Sequence, residues 1–88
     1  MTTPAKVLVV DDTPHNVKLL ADLLAVKGYA VATAVNGEEA LVKVASEQPD
    51  LVLLDIMMPG LSGYDVCRQL RADPRTALLP IVLVTSLD

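Results

Sequence analysis

Hydrophobic residues fall along the chain in two kinds of pattern, short unbroken runs and longer stretches with helical spacing. Unbroken aliphatic runs occupy residues 7–10, 51–54 and 81–84. Runs of this kind are typical of strands that are covered on both faces, as in a parallel sheet. With a further strand between the first two runs, the predicted strands cover residues 6–10, 29–34, 50–54 and 80–84.

Helical spacing appears between the predicted strands. Apolar residues one helical turn apart form one face of the first helix at Val17, Leu20, Ala21 and Leu24. Thr13 is the expected N-cap, Pro14 is at the first helical position, and Gly28 ends the helix as its C′ residue. The second and third helices are predicted at residues 38–46 and at about residues 64–71. Strands that alternate with helices in this way predict a single (βα)₃β domain of the α/β class.

The composition is apolar for so short a chain but does not indicate a membrane span. The 88 residues are 52% hydrophobic with a mean hydropathy of +0.47, yet they lack the run of about 20 apolar residues that a span needs. The N-terminus has no signal-peptide pattern, and the single Cys67 fits a reducing compartment. A net charge of −4 without a basic run argues against nucleic-acid binding. We therefore expect a cytoplasmic protein that binds neither membrane nor nucleic acid.

Three carboxylates follow two of the buried strands. Asp11 and Asp12 come directly after the first strand, and Asp55 comes directly after the third. Taken alone, Asp11 and Asp12 are explained by the favourable interaction of negative charge with the start of the following helix. Asp55, taken alone, is explained as an acidic residue in a loop. Together they favour a ligand site, because parallel strands of one sheet end at the same edge. Carboxylates that close repel one another unless a cation lies between them, and Mg²⁺ prefers such oxygens.

Two further residues complete the candidate site. Thr85, at the end of the fourth strand, carries a hydroxyl that can donate a hydrogen bond to a phosphoryl oxygen. A strand-end threonine that caps a turn is the structural alternative. Met57, two residues after Asp55, offers a backbone carbonyl as a metal ligand, although Pro59 and Gly60 also explain this stretch as a tight loop.

Three motifs together resemble one protein family. The motifs are Val9-Val10-Asp11-Asp12, Leu54-Asp55-Ile56-Met57-Met58-Pro59-Gly60 and Val84-Thr85-Ser86. In this order and at these intervals they look like the receiver domain of bacterial two-component response regulators, from about Lys6 to the last residue. The sequence at residues 72–76 and 79–81 is similar to that of receivers that precede diguanylate cyclase output domains.

The resemblance implies a phosphoacceptor and a set of metal ligands. Asp55 would accept a phosphoryl group from a sensor histidine kinase or a phosphotransfer protein and form an acyl phosphate. Asp12, Asp55 and the Met57 carbonyl would bind Mg²⁺ directly, with Asp11 acting through water. Thr85 would be the switch hydroxyl. On this hypothesis the chain is a signalling domain rather than an enzyme.

The same resemblance implies that residues 1–88 form a truncated, flavodoxin-like receiver. Family members are (βα)₅ domains, so the last helix, strand and helix would be missing, and the expected strand order is 2-1-3-4. The lysine in which the fifth strand normally ends has no counterpart among Lys6, Lys18, Lys27 and Lys43. Strand four would then be an open apolar edge, and the first helix would lose a neighbour. We therefore expect a homodimer through strand four or the first helix.

Other functions are weighed against this one. The main alternative is a docking module that keeps the fold, lacks phosphotransfer and occupies a surface of a kinase or regulator. A haloacid-dehalogenase-like phosphatase needs an Asp-x-Asp motif after its first strand, which Asp11-Asp12-Thr13 does not supply. A nucleotide-binding fold is disfavoured because neither the Rossmann nor the P-loop glycine pattern occurs.

Overall fold

Strands and helices alternate along the chain. A computed structural model describes residues 3–85. The strands are β1 (Lys6–Val10), β2 (Ala30–Ala34), β3 (Leu51–Asp55) and β4 (Ile81–Val84), and the helices are α1 (Pro14–Val26), α2 (Gly37–Glu47) and α3 (Gly63–Ala72). Every element predicted from the sequence is present, with ends that differ by at most one residue. Ser86, the last residue of the third motif, lies outside the described residues.

All the strands belong to one parallel sheet in the order β2-β1-β3-β4. Val10 pairs with Ala34 on one side and with Leu54 on the other, and Asp55 pairs with Val84. The predicted flavodoxin-like α/β fold with strand order 2-1-3-4 is confirmed. The carboxyl ends of β1, β3 and β4 therefore lie side by side at one edge of the sheet.

The C-terminus of α1 ends as predicted. Gly28 has a φ of +94°, and its N–H donates to the Ala25 carbonyl at 3.0 Å. The Tyr29 N–H donates to the Leu24 carbonyl at 3.1 Å. This is the Schellman arrangement, in which glycine adopts the left-handed region without a clash from a Cβ.

The N-terminus of α1 differs from the prediction in one contact. Thr13 occupies the N-cap position, but its side chain makes no capping hydrogen bond. Its backbone N–H instead donates to Asp11 Oδ1 at 2.9 Å. The prediction of Thr13 as the N-cap residue is therefore confirmed, but its side chain does not make the capping hydrogen bond, and Asp11 contacts this end of the helix.

The sheet separates two apolar layers. One layer packs against α2 and α3, and its buried members are Leu8, Val10, Ala34, Ala40, Val44, Val52, Leu54, Met58, Val66 and Leu70. On the other face Val7 and Val9 are buried, and α1 packs against β1 and β2. Because successive strand side chains point to opposite faces, the unbroken aliphatic runs fill both layers. The acidic strand ends are therefore carried by a closely packed frame.

The start of α3 is closed by a capping box, whose removal gives a testable prediction. The Asp65 N–H donates to Ser62 Oγ at 3.2 Å, and the Ser62 N–H donates to Asp65 Oδ2 at 3.1 Å. We expect Ser62→Ala to lower the free energy of unfolding by about 1 kcal/mol, measured by urea denaturation. Ser46→Ala, at an exposed position of α2, is the matched control. Equal losses in the two variants would contradict the prediction.

Two apolar surfaces are open in the part of the chain that the structure describes. β4 forms one edge of the sheet, and Val82 on this strand is 48% exposed. Leu19 and Leu23 on α1 are more than half exposed. No helix within residues 3–85 is both long enough and apolar enough to cross a bilayer.

Candidate functional site

Three carboxylates meet at the carboxyl edge of the sheet. One oxygen from each of Asp11, Asp12 and Asp55 lies within 4.8 Å of the others. β1 ends one residue before Asp11, β3 ends at Asp55, and the two strands pair directly. Asp11 and Asp55 are buried, with exposed fractions of 9% and 4%, whereas Asp12 is exposed. The structure thus brings together the acids that follow the two buried strands.

Asp11 is held in place by the start of α1. Its Oδ1 accepts the Thr13 N–H at 2.9 Å, and its Oδ2 accepts a hydrogen bond from Asn16 Nδ2 at 3.4 Å. The Asp11 N–H donates to the Ala34 carbonyl at 3.2 Å and so extends the pairing of β1 with β2. Asn16 was not predicted from the sequence. Its place in the first turn of the helix that follows the acidic pair does not by itself show that its amide reaches Asp11.

Asp55 combines burial with negatively charged neighbours. The pKa of its carboxyl is raised above the ordinary value, first because burial disfavours the charged form and then because Asp11 and Asp12 lie close to it. One contact opposes this shift, since the Met57 N–H donates to Asp55 Oδ1 at 3.1 Å. A bound cation would offset both the desolvation and the repulsion at this position.

The backbone next to Asp55 packs closely against the start of α3. The Gly63 N–H donates to the Ile56 carbonyl at 3.0 Å. A Cβ on Gly63 would meet the Asp55 carbonyl oxygen and would lie 2.8 Å from the Ile56 Cα. A side chain at this position would therefore displace the backbone that carries the acid. This role of Gly63 was not predicted, because the sequence places it only at the end of the loop.

The other two predicted site residues lie at the same edge. The Met57 side chain is 69% exposed, whereas Met58 is buried in the core. Thr85 directly follows β4, where the Val84 carbonyl accepts the Ile56 N–H at 3.0 Å. Thr85 is exposed. It therefore lies open to solvent, beside the strand end that carries Asp55.

The donor set fits a hard divalent cation. Mg²⁺ takes oxygen ligands at about 2.0–2.1 Å in octahedral geometry, and it usually keeps several waters beside one or two carboxylates. The three acids supply carboxylate oxygens that lie within 4.8 Å of one another. Because Asp12 is exposed, solvent reaches the three acids, and water or a phosphate oxygen could complete the ligand set of an ion that these acids would hold.

Comparison with known families decides what this domain is. The family model described as "Response regulator receiver domain" matches residues 7–88, almost the whole chain. The chain belongs to the response regulator receiver family. The resemblance seen in the three motifs is therefore confirmed, and the sheet order described above is that of a receiver domain.

Individual receivers are similar over nearly the whole chain. The chain is 50% identical over 84 residues to the response regulator PleD of Caulobacter vibrioides, covering 96% of this chain and 18% of PleD. It is 40% identical to the protein PilH of Pseudomonas aeruginosa, covering 96% of this chain and 69% of PilH. The solved response regulator TrrA of Thermotoga maritima is 46% identical, with a TM-score of 0.85 over 92% of this chain and 69% of that one. This receiver therefore spans less than a fifth of PleD.

Proposed function

We propose that this receiver domain accepts a phosphoryl group on Asp55 in a reaction that depends on Mg²⁺. The observation that carries the proposal is the meeting of Asp11, Asp12 and Asp55 at the sheet edge, with Asp55 buried. The structure of TrrA from Thermotoga maritima is a complex with Mg(2+)-BeF. Because beryllium fluoride groups resemble a phosphoryl group in shape, this similarity supports the same chemistry here.

Asp55 is the nucleophile in the proposed reaction. One of its carboxylate oxygens attacks the phosphorus atom of a phosphohistidine. The P–N bond breaks as the new P–O bond forms, and the departing imidazole keeps the electron pair and takes up a proton. The product is an acyl phosphate on Asp55. Because Oδ1 accepts the Met57 N–H, Oδ2 is the oxygen presented to the phosphorus.

The other acids have separate parts in the proposed site. Asp12, Asp55 and the Met57 carbonyl are the proposed direct ligands of Mg²⁺, and Asp11 acts through water. When bound, the ion neutralises charge on the transferring group. The contacts of Asp11 support an orienting part, because the Thr13 N–H and the Asn16 side chain hold its carboxylate at the start of α1.

Thr85 is the proposed switch hydroxyl. It follows β4 next to the strand that ends in Asp55, and it is exposed. A phosphoryl group adds roughly 1.5 to 2 negative charges, so a nearby hydroxyl donor is attracted to it. Movement of Thr85 toward the phosphoryl group would change the surface at the end of β4, which is where partners would detect the phosphorylated state.

The proposed phosphoryl donor is a sensor histidine kinase or a phosphotransfer protein. We place this reaction in the cytoplasm, in line with the single Cys67. In this proposal the receiver is a signalling domain, and the step that it performs is the transfer of a phosphoryl group to its own side chain.

Intact mass spectrometry after incubation with acetyl phosphate tests the proposed function. We expect one phosphoryl adduct in the presence of Mg²⁺ and at least about tenfold less after chelation, because without a cation the three acids repel the incoming anion. A sample that is folded by circular dichroism but gains no adduct with Mg²⁺ would rule out the phosphoacceptor function. An equal amount of phosphoryl adduct with and without Mg²⁺ would rule out a role for the metal in the reaction.

A docking module is the second candidate function. It is favoured by the open edge of β4 and by the exposed Leu19 and Leu23 of α1. Apolar surfaces of this kind are suited to a homodimer or to contact with a kinase or regulator. Partner binding that survives Asp55→Asn unchanged would distinguish this candidate from a phosphorylation switch.

A further inference from the structure

Two adjacent methionines in the loop after β3 have opposite environments. The side chain of Met57 is 69% exposed, whereas that of Met58 is only 6% exposed and belongs to the core. Both side chains are thioethers, so an oxidant dissolved in the solvent distinguishes them only by access. Met1, the third methionine of the chain, lies outside the described residues. The loop therefore carries one accessible thioether next to a protected one.

Backbone contacts fix the accessible methionine beside Asp55. The Met57 N–H donates to Asp55 Oδ1 at 3.1 Å. Because an N–Cα bond is about 1.46 Å long, the Met57 Cα lies within about 4.6 Å of this carboxylate oxygen. The Ile56 carbonyl accepts the Met58 N–H at 3.2 Å and the Gly63 N–H at 3.0 Å. The Met57 side chain therefore starts from a fixed point next to the acids at the sheet edge.

The Met57 side chain is free to extend toward these acids from the solvent side. Methionine is unbranched and flexible, and an exposed side chain has few neighbours that restrict its rotamers. Oxygens of Asp11, Asp12 and Asp55 lie within 4.8 Å of one another, and Asp12 is exposed. The end of the Met57 side chain can therefore approach an ion that these acids would hold.

Hydrogen peroxide converts an accessible thioether to a sulfoxide. The sulfur lone pair forms a bond to one peroxide oxygen as the O–O bond breaks. The departing hydroxide takes the proton of the transferred oxygen and leaves as water, so sulfur is oxidised and the peroxide is reduced. Because hydrogen peroxide carries no charge, the acidic edge does not repel it as it repels anions. Methionine sulfoxide reductases reverse the change.

The sulfoxide and the thioether differ in how they interact with a hard cation. Thioether sulfur is soft and only a weak hydrogen-bond acceptor, so it contributes little to a site for Mg²⁺. A sulfoxide is polar, and its oxygen accepts hydrogen bonds strongly. Mg²⁺ usually keeps several waters, and these waters need acceptors for their O–H groups. Oxidation therefore adds an oxygen acceptor next to the acids without adding a charge.

We propose that Met57 is a reversible oxidation site, and that its sulfoxide tightens the binding of Mg²⁺ at the acidic edge. The sulfoxide oxygen accepts hydrogen bonds from waters that the bound ion keeps. Groups that orient metal-bound ligands in this way typically change metal affinity severalfold or more. The proposal rests on the metal site of the proposed function, but it does not require phosphoryl transfer to Asp55.

Tandem mass spectrometry of the peroxide-treated chain tests the oxidation site. In the folded domain we expect sulfoxide to form on Met57 at least about tenfold faster than on Met58, because only the first thioether is accessible. In urea, where the chain is unfolded, the two rates should agree within about twofold. Equal rates in the folded domain would overturn the proposal.

Isothermal titration calorimetry with Mg²⁺ tests the effect of oxidation on the metal. The oxidised chain should bind Mg²⁺ at least about threefold more tightly than the untreated chain, and a methionine sulfoxide reductase should restore the original affinity. This reversal excludes oxidation of the free Cys67 as the cause. Met57→Leu, compared with its own untreated sample, should not respond to peroxide. The matched control Met58→Leu keeps the accessible thioether and should respond as wild type does.

Two results of the titration would overturn the proposal while leaving the metal site intact. One is an affinity for Mg²⁺ that stays the same or falls after Met57 is fully oxidised. The other is a response of Met57→Leu to peroxide equal to that of wild type. Failure of the proposed function is distinguishable, because the untreated chain would then bind no Mg²⁺ at all.

Discussion

Asp55→Asn is expected to abolish the phosphoryl adduct and, at the same time, to make the metal-free domain more stable. Asparagine keeps the shape of the side chain but lacks the anionic oxygen that would attack phosphorus in the proposed reaction. It also removes a buried charge that lies beside Asp11 and Asp12. We expect a gain in the free energy of unfolding on the order of 1 kcal/mol, or roughly 4–8 °C in Tm for a domain of this size.

The same substitution should change how stability depends on pH. The pKa of the Asp55 carboxyl is raised in the folded state, chiefly by burial. The folded domain therefore keeps this proton at pH values where the unfolded chain has lost it. Its contribution to stability is present at low pH and is lost as the pH rises from the ordinary carboxyl range through the raised pKa. Thermal melts with chelator across this range should show that decline in wild type, and Asp55→Asn should lack it.

Asp22→Asn is the matched control for this prediction. Asp22 is an exposed acid on α1 that pairs with Lys18. It does not belong to the group of carboxylates at the sheet edge. The control should retain the adduct and the pH dependence of wild type. Mg²⁺ should also raise the Tm of wild type more than that of Asp55→Asn, because the variant removes one carboxylate from the proposed metal site. An adduct on Asp55→Asn, or a loss of metal-free stability, would contradict the site as described.

Gly63→Ala is expected to damage both the fold and the site. The added Cβ would meet the Asp55 carbonyl oxygen and the Ile56 Cα, which are backbone atoms that cannot rotate away. Overpacking of this kind typically costs up to about 3 kcal/mol, and we expect a loss of about 2–3 kcal/mol in the free energy of unfolding. The shift also moves Asp55, so adduct formation with acetyl phosphate should slow in samples that remain folded.

Gly28→Ala separates this packing effect from the general cost of replacing a glycine. Gly28 has a positive φ, but a Cβ there would find no atom within 4 Å. We expect a loss of only about 1 kcal/mol, caused by backbone strain, and an unchanged rate of adduct formation. Urea denaturation and intact mass spectrometry of both variants measure the difference. Equal losses of stability in Gly63→Ala and Gly28→Ala would contradict the prediction. They would show that the backbone at Asp55 accommodates a Cβ on Gly63 at no additional cost in free energy.

Structural elements that depend on residues close together in the sequence were predicted correctly. The aliphatic runs and helical repeats marked all the strands and helices, because strand and helix periodicities are local properties of the chain. The end of α1 at Gly28 was predicted for the same reason. The capping contact of Thr13 was not, because Asp11 accepts the Thr13 N–H and organises the start of the helix instead.

The parallel α/β architecture and the acids that end its buried strands follow from the amino-acid sequence alone. An aliphatic run followed by Asp is readable without coordinates, and parallel strands of one sheet must end at a common edge. Only the tertiary structure decided which groups surround those acids. The contact of Asn16 with Asp11 and the packing of Gly63 against the Asp55 backbone were not evident before the fold was known. Each depends on distances and orientations that packing sets, and a local pattern of residues does not encode them.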